Sequence, residues 1–243
     1  MRKLLNLILA WSVHILTASG LIVSLYSIIS IINTDYNLLL KLTILGLLID
    51  GIDGTLARKL KIKEIIPTIN GELLDNIVDY INYTFIPTIF FYYGNFISNE
   101  YKIITCIGIL LASAYQFSRL DAKTSDDYFR GFPSLWNFLI IFNIIFKLDQ
   151  TTNLSIILSC ITFSFAPIKF IYPSKTKEFK YITLPVTVIT ALSVILITFA
   201  KLPDTYLKIG KTLIIFYCLY LILMSIYLTY KTKKNNEVLC ISY

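Results

Sequence analysis

Residues 38–57 read LLLKLTILGLLIDGIDGTLA, an apolar stretch with two aspartates near its end. A helix of about 20 apolar residues is long enough to cross the hydrocarbon core of a bilayer. Ionisable groups in such a helix are costly to bury, so Asp50 and Asp53 require a functional explanation. The stretch therefore predicts a membrane helix that carries acidic groups for chemistry.

The composition of the whole chain agrees with a membrane protein. Of its 243 residues, 56% are hydrophobic and 15% are charged, and the mean hydropathy is +0.70. These values exclude a water-soluble monomer. We predict an all-α, polytopic membrane helix bundle of about eight transmembrane helices, forming a single domain over residues 1–243. The helices are expected at the apolar stretches near 8–32, 38–57, 73–93, 101–118, 134–147, 154–170, 182–200 and 207–230.

The basic residues indicate how the chain is oriented. If successive connections lie on opposite sides of the membrane, 16 of the 22 lysines and arginines fall on one side. The positive-inside rule then places both termini and the connections 58–72 and 119–133 in the cytoplasm. Orientation also accounts for the net charge of +7, and no basic stripe with interleaved aromatics indicates a nucleic-acid partner.

A second group of acids follows in residues 69–80, INGELLDNIVDY. Asp75 and Asp79 are four residues apart, and Asp50 and Asp53 are three apart, so each pair lies on one face of a helix. If the two helices pack side by side, four carboxylates converge on one cleft. Like charges in a poorly hydrated cleft need compensation, and two divalent cations supply it.

The residue types indicate which ions these are. Mg²⁺ and Mn²⁺ prefer oxygen ligands, and the acidic group contains no His or Cys that would suggest zinc. Paired ions of this kind assist phosphoryl chemistry. The alternative is a solvated helix end with salt bridges to Arg58, Lys59 and Lys61. That alternative suits a single acid better than four acids at helical spacing around small residues.

The residues between the acids also suit a phosphate-bearing ligand. Gly54 and Ala57 leave space for a nucleotide or pyrophosphate against the helix, and Arg58 offers a fork-shaped donor to phosphate oxygens. The complete pattern resembles the signature of the CDP-alcohol phosphotransferases and reads Asp50-x2-Asp53-Gly54-x2-Ala57-Arg58-x12-Gly71-x3-Asp75-x3-Asp79.

The length of the spacer between Arg58 and Gly71 indicates one branch of the family. The commonest version of the signature has eight residues between the arginine and the next glycine, whereas this chain has twelve, from Lys59 to Asn70. The longer spacer resembles the bacterial phosphatidylcholine synthase branch of the family. AWSVHILTASG at 10–20 and DAKTSDDYFRGFPSLWN at 121–137 are also similar to that branch.

The resemblance implies a reaction and a set of roles. The reaction is the transfer of the phosphatidyl group of CDP-diacylglycerol to choline, with release of CMP, in the bacterial cytoplasmic (inner) membrane with the active site on the cytoplasmic side. Two Mn²⁺ or Mg²⁺ ions would be held by Asp50, Asp53, Asp75 and Asp79. Asp79 would also be the catalytic base, and the CDP part would lie along Gly54, Ala57, Arg58 and Gly71. Members of the family are often dimers, so a homodimer is left open.

Choline adds a requirement of its own. A trimethylammonium group has no N–H to donate and is recognised through aromatic faces. Aromatic residues make up 14% of the chain, and in membrane proteins they also serve as interfacial belts and packing. The candidates for choline contact are Tyr80, Tyr83, Tyr115, Phe129 and Trp136.

The sequence leaves two alternative functions to consider. Another phosphatidyltransferase, such as a phosphatidylserine synthase, would take an anionic acceptor, which Arg119, Lys123 and Arg130 could bind. An ion-coupled transporter is disfavoured because the acids sit at one membrane face and no inverted repeat is visible. For His14, in the first apolar stretch, we expect a hydrogen bond to a neighbouring helix. The alternative is that His14 faces the substrate cleft.

Overall fold

The protein is built almost entirely from helices, which confirms the predicted all-α class. The computed structural model describes residues 2–124, 126–173 and 175–241. The helices are α1 (Arg2–Ile32), α2 (Tyr36–Lys59), α3 (Ile62–Ile65), α4 (Gly71–Tyr80), α5 (Ile86–Tyr93), α6 (Asn99–Ser118), α7 (Asn137–Phe146), α8 (Gln150–Phe165), α9 (Lys180–Phe199) and α10 (Asp204–Ile241). Two strands that the sequence analysis missed are β1 (Tyr128–Arg130) and β2 (Lys169–Ile171). Three residues are too few for an alternating pattern to predict a strand.

The helices overlap all eight apolar stretches of the sequence. Within the part of the chain that the structure describes, four helical segments are long and apolar enough to cross a membrane by length and composition, and many of their large apolar side chains are exposed. The count of eight spans and the cytoplasmic side of the termini stay predictions, and residues 1 and 242–243 lie outside the described residues. The four segments are Lys3–Ile32, Asn99–Ser118, Lys180–Phe199 and Asp204–Thr232.

The described residues fall into two compact units. The first comprises residues 2–110 and 135–154, and the second comprises 111–124, 126–134, 155–173 and 175–241. The prediction of a single domain over 1–243 stays a prediction. All four predicted acids belong to the first unit.

In the first unit, α1 packs along α2 and also contacts α4 and α5, while α2 and α5 contact α7. A connection of three residues joins α1 to α2. The Asp35 carboxylate caps α2 by accepting the Leu38 N–H at 2.9 Å. The ring of Phe90 is fully buried and stacks on Phe96 at 4.2 Å between centroids. Because α1 contacts both α2 and α4, residues of all three helices line one cleft.

A π-helical turn, Ile81–Phe85, joins α4 to α5 and has a simple cause. Proline has no N–H, so Pro87 cannot donate to the carbonyl of Tyr83 four residues before it, and its ring crowds that carbonyl. The helix widens, and the Ile86 N–H reaches the Ile81 carbonyl instead. The released carbonyl of Tyr83 accepts the backbone N–H of Trp136 at 3.2 Å.

The second unit pairs its two strands antiparallel, with Tyr128 opposite Ile171 and Arg130 opposite Lys169. Tyr128 and Ile171 pack on Leu228 of α10. Helices α9 and α10 are tied by two hydroxyl pairs, Thr183 with Tyr220 at 2.6 Å and Thr187 with Tyr217 at 2.9 Å. The two connections that contain these strands are therefore neighbours, and the side of the membrane on which they lie stays a prediction.

One glycine permits the close approach of α1 to α4. A Cβ atom added at Gly20 would lie 2.6 Å from Cγ1 of Val78 and 3.2 Å from Nδ2 of Asn82. Valine is stiff at χ1, so the crowded methyl group cannot easily turn away. The helix axes would have to separate to accept any side chain at this position.

We therefore expect Gly20→Ala to destabilise the protein by about 1–3 kcal/mol through overpacking. The measurement is the thermal unfolding midpoint of the purified protein in detergent, which should fall by several degrees. Gly51→Ala is the matched control, since no atom lies within 4 Å of its added Cβ, and helix propensity favours alanine there by about 0.5–1 kcal/mol. Equal midpoints for the two variants would show that the α1–α4 contact tolerates a side chain.

Candidate active site

Helix α2 supplies the first two acids. Asp50 and Asp53 are one turn apart, and the last turn of α2 carries Arg58 and Lys59, whose positive charges suit the negative end of a helix. Asp53 is 3% exposed, and its carboxylate accepts the N–H of Gly54. The C-terminal part of α2 therefore presents both carboxylates from one face.

Helix α4 supplies the other two acids. It begins at Gly71, where the side chain of Asn70 caps the helix by accepting the Leu73 N–H at 3.1 Å. With its start defined in this way, α4 carries Asp75 and Asp79 one turn apart on one face.

The two helices bring these acids together as the sequence predicts. One carboxylate oxygen from each of Asp50, Asp75 and Asp79 lies within 4.8 Å of the others. Asp53 lines the same cleft but does not belong to this close group of three. The structure thus places all four acids at one cleft and divides them into three convergent carboxylates and one deeply buried neighbour.

The chemistry of this cleft fits a divalent cation. Three partly buried carboxylates so close together repel one another unless a positive charge lies between them. The donor set consists of oxygen atoms alone, the set that hard cations such as Mg²⁺ and Mn²⁺ select. Asp50, Asp75 and Asp79 are the residues placed to hold such an ion, and Asp53 is near enough to the cleft to contribute.

Tyr83 takes part in the site in a way that the sequence analysis missed. Its hydroxyl donates to Oδ2 of Asp50 at 2.6 Å, and the side chain is 7% exposed and lines the cleft. Tyr83 sits in the π-helical turn, whose extra residue changes the direction in which side chains point. The sequence signal was Pro87, four residues later, which disrupts the regular α-helix at Tyr83.

Asn82 is a second residue that the sequence analysis did not identify. It lines the cleft, its side-chain oxygen accepts the Ser24 hydroxyl at 2.8 Å, and its side-chain nitrogen donates to the Gly20 carbonyl at 3.4 Å. It follows Asp79 by three residues, so extending the acidic face of α4 by one turn would have found it. These bonds tie the end of the acidic face to α1.

The small and basic signature residues lie near the acids without lining the cleft. A Cβ added at Gly54 would be 3.4 Å from Nη1 of Arg58, whose guanidinium is exposed and also reaches the Thr55 hydroxyl at 3.5 Å. Ala57 packs against the apolar cluster of Ala10 and its neighbours.

Gly71 faces the imidazole of His14. A Cβ atom added at Gly71 would lie 3.2 Å from Cε1 of that ring. The sequence-based assignment of these four residues to the CDP part of a substrate stays a prediction.

The five choline candidates are distributed over both units. In the first unit, Tyr83 lines the cleft, Tyr80 donates its hydroxyl to the Leu110 carbonyl at 3.2 Å, and Trp136 is completely buried. In the second unit, the ring of Tyr115 lies 4.9 Å from Phe165, and Phe129 stacks on Tyr172 at 4.5 Å. Tyr83 is the candidate that the structure joins to the acids.

Two of the three basic residues of the connection 119–133, Arg119 and Arg130, share one acidic partner. Arg119 and Arg130 both donate to the carboxylate of Asp121, Arg119 through Nε at 2.7 Å. The hydrogen bond from Arg119 lowers the pKa of Asp121 below its ordinary value, so the carboxylate stays ionised to lower pH. The two positive charges therefore have an internal partner.

Comparison with known proteins agrees with the geometry. The family model for CDP-alcohol phosphatidyltransferase matches residues 13–168. The phosphatidylcholine synthase of Borreliella burgdorferi is 67% identical over 233 residues, which cover 96% of this chain and 100% of that protein. The phosphatidylcholine synthase of Pseudomonas aeruginosa is 34% identical over 184 residues, covering 76% and 77%. That of Legionella pneumophila is 38% identical over 167 residues, covering 68% and 66%.

The match includes every residue of the acidic cleft and extends well beyond the signature. The family is dependent on divalent metal ions in general, in keeping with the three convergent carboxylates. Its members transfer substituted phosphate groups within membranes. On the matched residues and the identity to its relatives, the chain belongs to the CDP-alcohol phosphatidyltransferase family.

Proposed function

We propose that the chain transfers the phosphatidyl group of CDP-diacylglycerol to choline, forming phosphatidylcholine and CMP. The observation that carries the proposal is the convergence of Asp50, Asp75 and Asp79 in a chain 67% identical to a phosphatidylcholine synthase along its whole length. The reaction takes place in the bacterial inner membrane, on its cytoplasmic side, where the positive-inside rule puts the basic connections.

The acids divide the work of the reaction. Asp50, Asp53, Asp75 and Asp79 would hold two Mg²⁺ or Mn²⁺ ions, and such ions would supply positive charge to the diphosphate. Asp79 in addition accepts the proton of the choline hydroxyl, because an alcohol with a pKa far above 7 is a weak nucleophile without a base. Tyr83 keeps the Asp50 carboxylate in position by donating to Oδ2.

The bond changes follow from these roles. The choline oxygen attacks the phosphorus that carries the diacylglycerol, and the bond from that phosphorus to the bridging oxygen breaks. CMP leaves with the bridging oxygen, and the hydroxyl proton remains on Asp79 until water removes it. Gly54, Ala57, Arg58 and Gly71 accommodate the CDP part, with the guanidinium of Arg58 available to phosphate oxygens.

The choice of choline as the acceptor is supported by the names of the relatives. An anionic acceptor such as serine or glycerol 3-phosphate calls for unpaired basic groups. Arg119 and Arg130, two of the three residues that kept this alternative open, both pair with Asp121. Because these two arginines share a single carboxylate, the group keeps a net positive charge, and it is the names of the relatives that favour choline. Family membership leaves the transporter alternative without support, and a homodimer stays a prediction.

We expect radiolabelled choline to enter lipid when the purified chain is given CDP-diacylglycerol and Mg²⁺ or Mn²⁺. Removal of either the nucleotide lipid or the metal should abolish the incorporation. Asp79→Asn should lower the rate by about 10²–10⁴-fold, the usual contribution of a positioned base. Glu100→Gln, an equal change of charge at an exposed residue of α6, is the control and should keep the wild-type rate.

Two outcomes would contradict the proposal at different levels. Release of CMP with serine or glycerol 3-phosphate but not with choline would make the acceptor wrong and keep the reaction class. A folded protein that releases no CMP with any of these acceptors would contradict the reaction itself.

A second prediction concerns recognition of the choline cation by Tyr83. Replacing Tyr83 by Leu removes the aromatic face and should raise the KM for choline by about 2–30-fold, the equivalent of 0.5–2 kcal/mol. Tyr83→Phe keeps the ring and loses the bond to Asp50, so it should lower kcat with a smaller change in that KM. Steady-state kinetics with varied choline provides both constants. Equal KM values for the wild type and Tyr83→Leu would exclude Tyr83 from choline binding.

A further inference from the structure

His14 is buried in α1 with an unsatisfied hydrogen-bonding group. The residue is 8% exposed, and its Nε2 is buried without a hydrogen-bond partner among the residues that the structure describes. A buried polar nitrogen in this state lowers stability relative to an apolar ring of similar shape. The predicted hydrogen bond from His14 to a neighbouring helix is therefore not made through Nε2.

The imidazole ring of His14 lies against Gly71 and close to the acidic cleft. A Cβ added at Gly71, the first residue of α4, would approach its Cε1 to 3.2 Å and its Nδ1 to 3.8 Å. One turn farther along α1, on the same face, Thr17 lines the cleft of the acids. His14 is therefore adjacent to the cleft and to a signature glycine, on a helix that contributes no acid.

The spacing along α4 indicates which part of a ligand comes near this ring. Gly71 precedes Asp75 by four residues, which is about 6 Å along a helix. If the diphosphate is held at the carboxylates, a group that extends from it along α4 by about one helical turn reaches Gly71. In CDP-diacylglycerol that group is the nucleoside, which offers ribose hydroxyls and the polar edge of cytosine to a hydrogen-bonding nitrogen.

We infer that His14 hydrogen-bonds the nucleoside part of CDP-diacylglycerol through Nε2, an inference that rests on the proposed function. On binding, the imidazole turns about its Cα–Cβ and Cβ–Cγ bonds and exchanges an unpaired buried nitrogen for a hydrogen bond. Glycine at position 71 keeps the contact surface free of a side chain that would crowd the ring. His14 is then a substrate-binding residue, with no part in the proton transfer assigned to Asp79.

The chain contains a single histidine, which permits a direct test. The full chain, purified in detergent through a tag free of histidine, is labelled with ¹⁵N in the imidazole. Addition of CMP with Mg²⁺ should shift the Nε2 resonance. Mg²⁺ alone, and pyrophosphate with Mg²⁺, should leave that resonance unmoved, because neither contains a nucleoside.

Kinetics provide the second arm of the test. His14→Phe should raise the KM for CDP-diacylglycerol and the inhibition constant of CMP by the same factor, about 3–10-fold for one hydrogen bond. The KM for choline should not change. His14→Asn, which keeps a polar nitrogen, should recover part of the loss. Ser12→Ala, at an exposed residue of α1 whose hydroxyl bonds only the Leu9 carbonyl among the described atoms, is the control.

The outcomes separate this inference from the proposed function. If the wild type makes phosphatidylcholine and CMP inhibits it, but CMP neither shifts the resonance nor loses affinity in His14→Phe, the inference is wrong. A shift caused equally by pyrophosphate would also overturn it, since the contact would then be to phosphate. If His14→Phe does not fold, the resonance of the wild type decides. If the wild type releases no CMP with any acceptor, the proposed function fails first.

Discussion

The repulsion between carboxylates on two neighbouring helices is the constraint on which the rest of the structure depends. Asp50, Asp75 and Asp79 place oxygens within 4.8 Å of one another in a partly buried cleft, an arrangement that isolated like charges oppose. Positive charge between the carboxylates relieves this repulsion, and other contacts hold the helices in place. Divalent ions would supply this charge, and the packing of α1 against α2 and α4 provides these contacts.

Several of those contacts are made by residues with no chemistry of their own. Gly20 lets α1 approach α4, where Asn82 bonds both the Gly20 carbonyl and the Ser24 hydroxyl. Pro87 prevents a regular α-helical bond at Tyr83, and the resulting π-helical turn aims the tyrosine hydroxyl at Asp50. The same missing bond leaves a carbonyl for Trp136, which links the turn to the start of α7. A local defect in one helix thus orients a group in the site.

The parts of this account that could be predicted from sequence are those with a helical period. Asp75 and Asp79 share a face because of their spacing, and the helices of the structure follow the apolar stretches. What the spacing could not predict was the division among the acids, because the place of Asp53 outside the close group depends on how the helices pack. The bond of Tyr83 to Asp50 depends on the π-helical turn, and the strands depend on pairing between distant connections. These features arise from tertiary contacts, which a single helix pattern does not encode.

The most direct measurement of the central claim is the electron paramagnetic resonance spectrum of the purified chain titrated with Mn²⁺. If the acids of α2 and α4 share two ions, about 3.5–4 Å apart as in paired metal sites, the spectrum at saturation should be that of two exchange-coupled ions. The signal should lose this coupling when Asp75, which belongs to the close group, is changed to Asn. A spectrum of single, uncoupled Mn²⁺ at saturation, or no binding by the folded protein, would contradict the account.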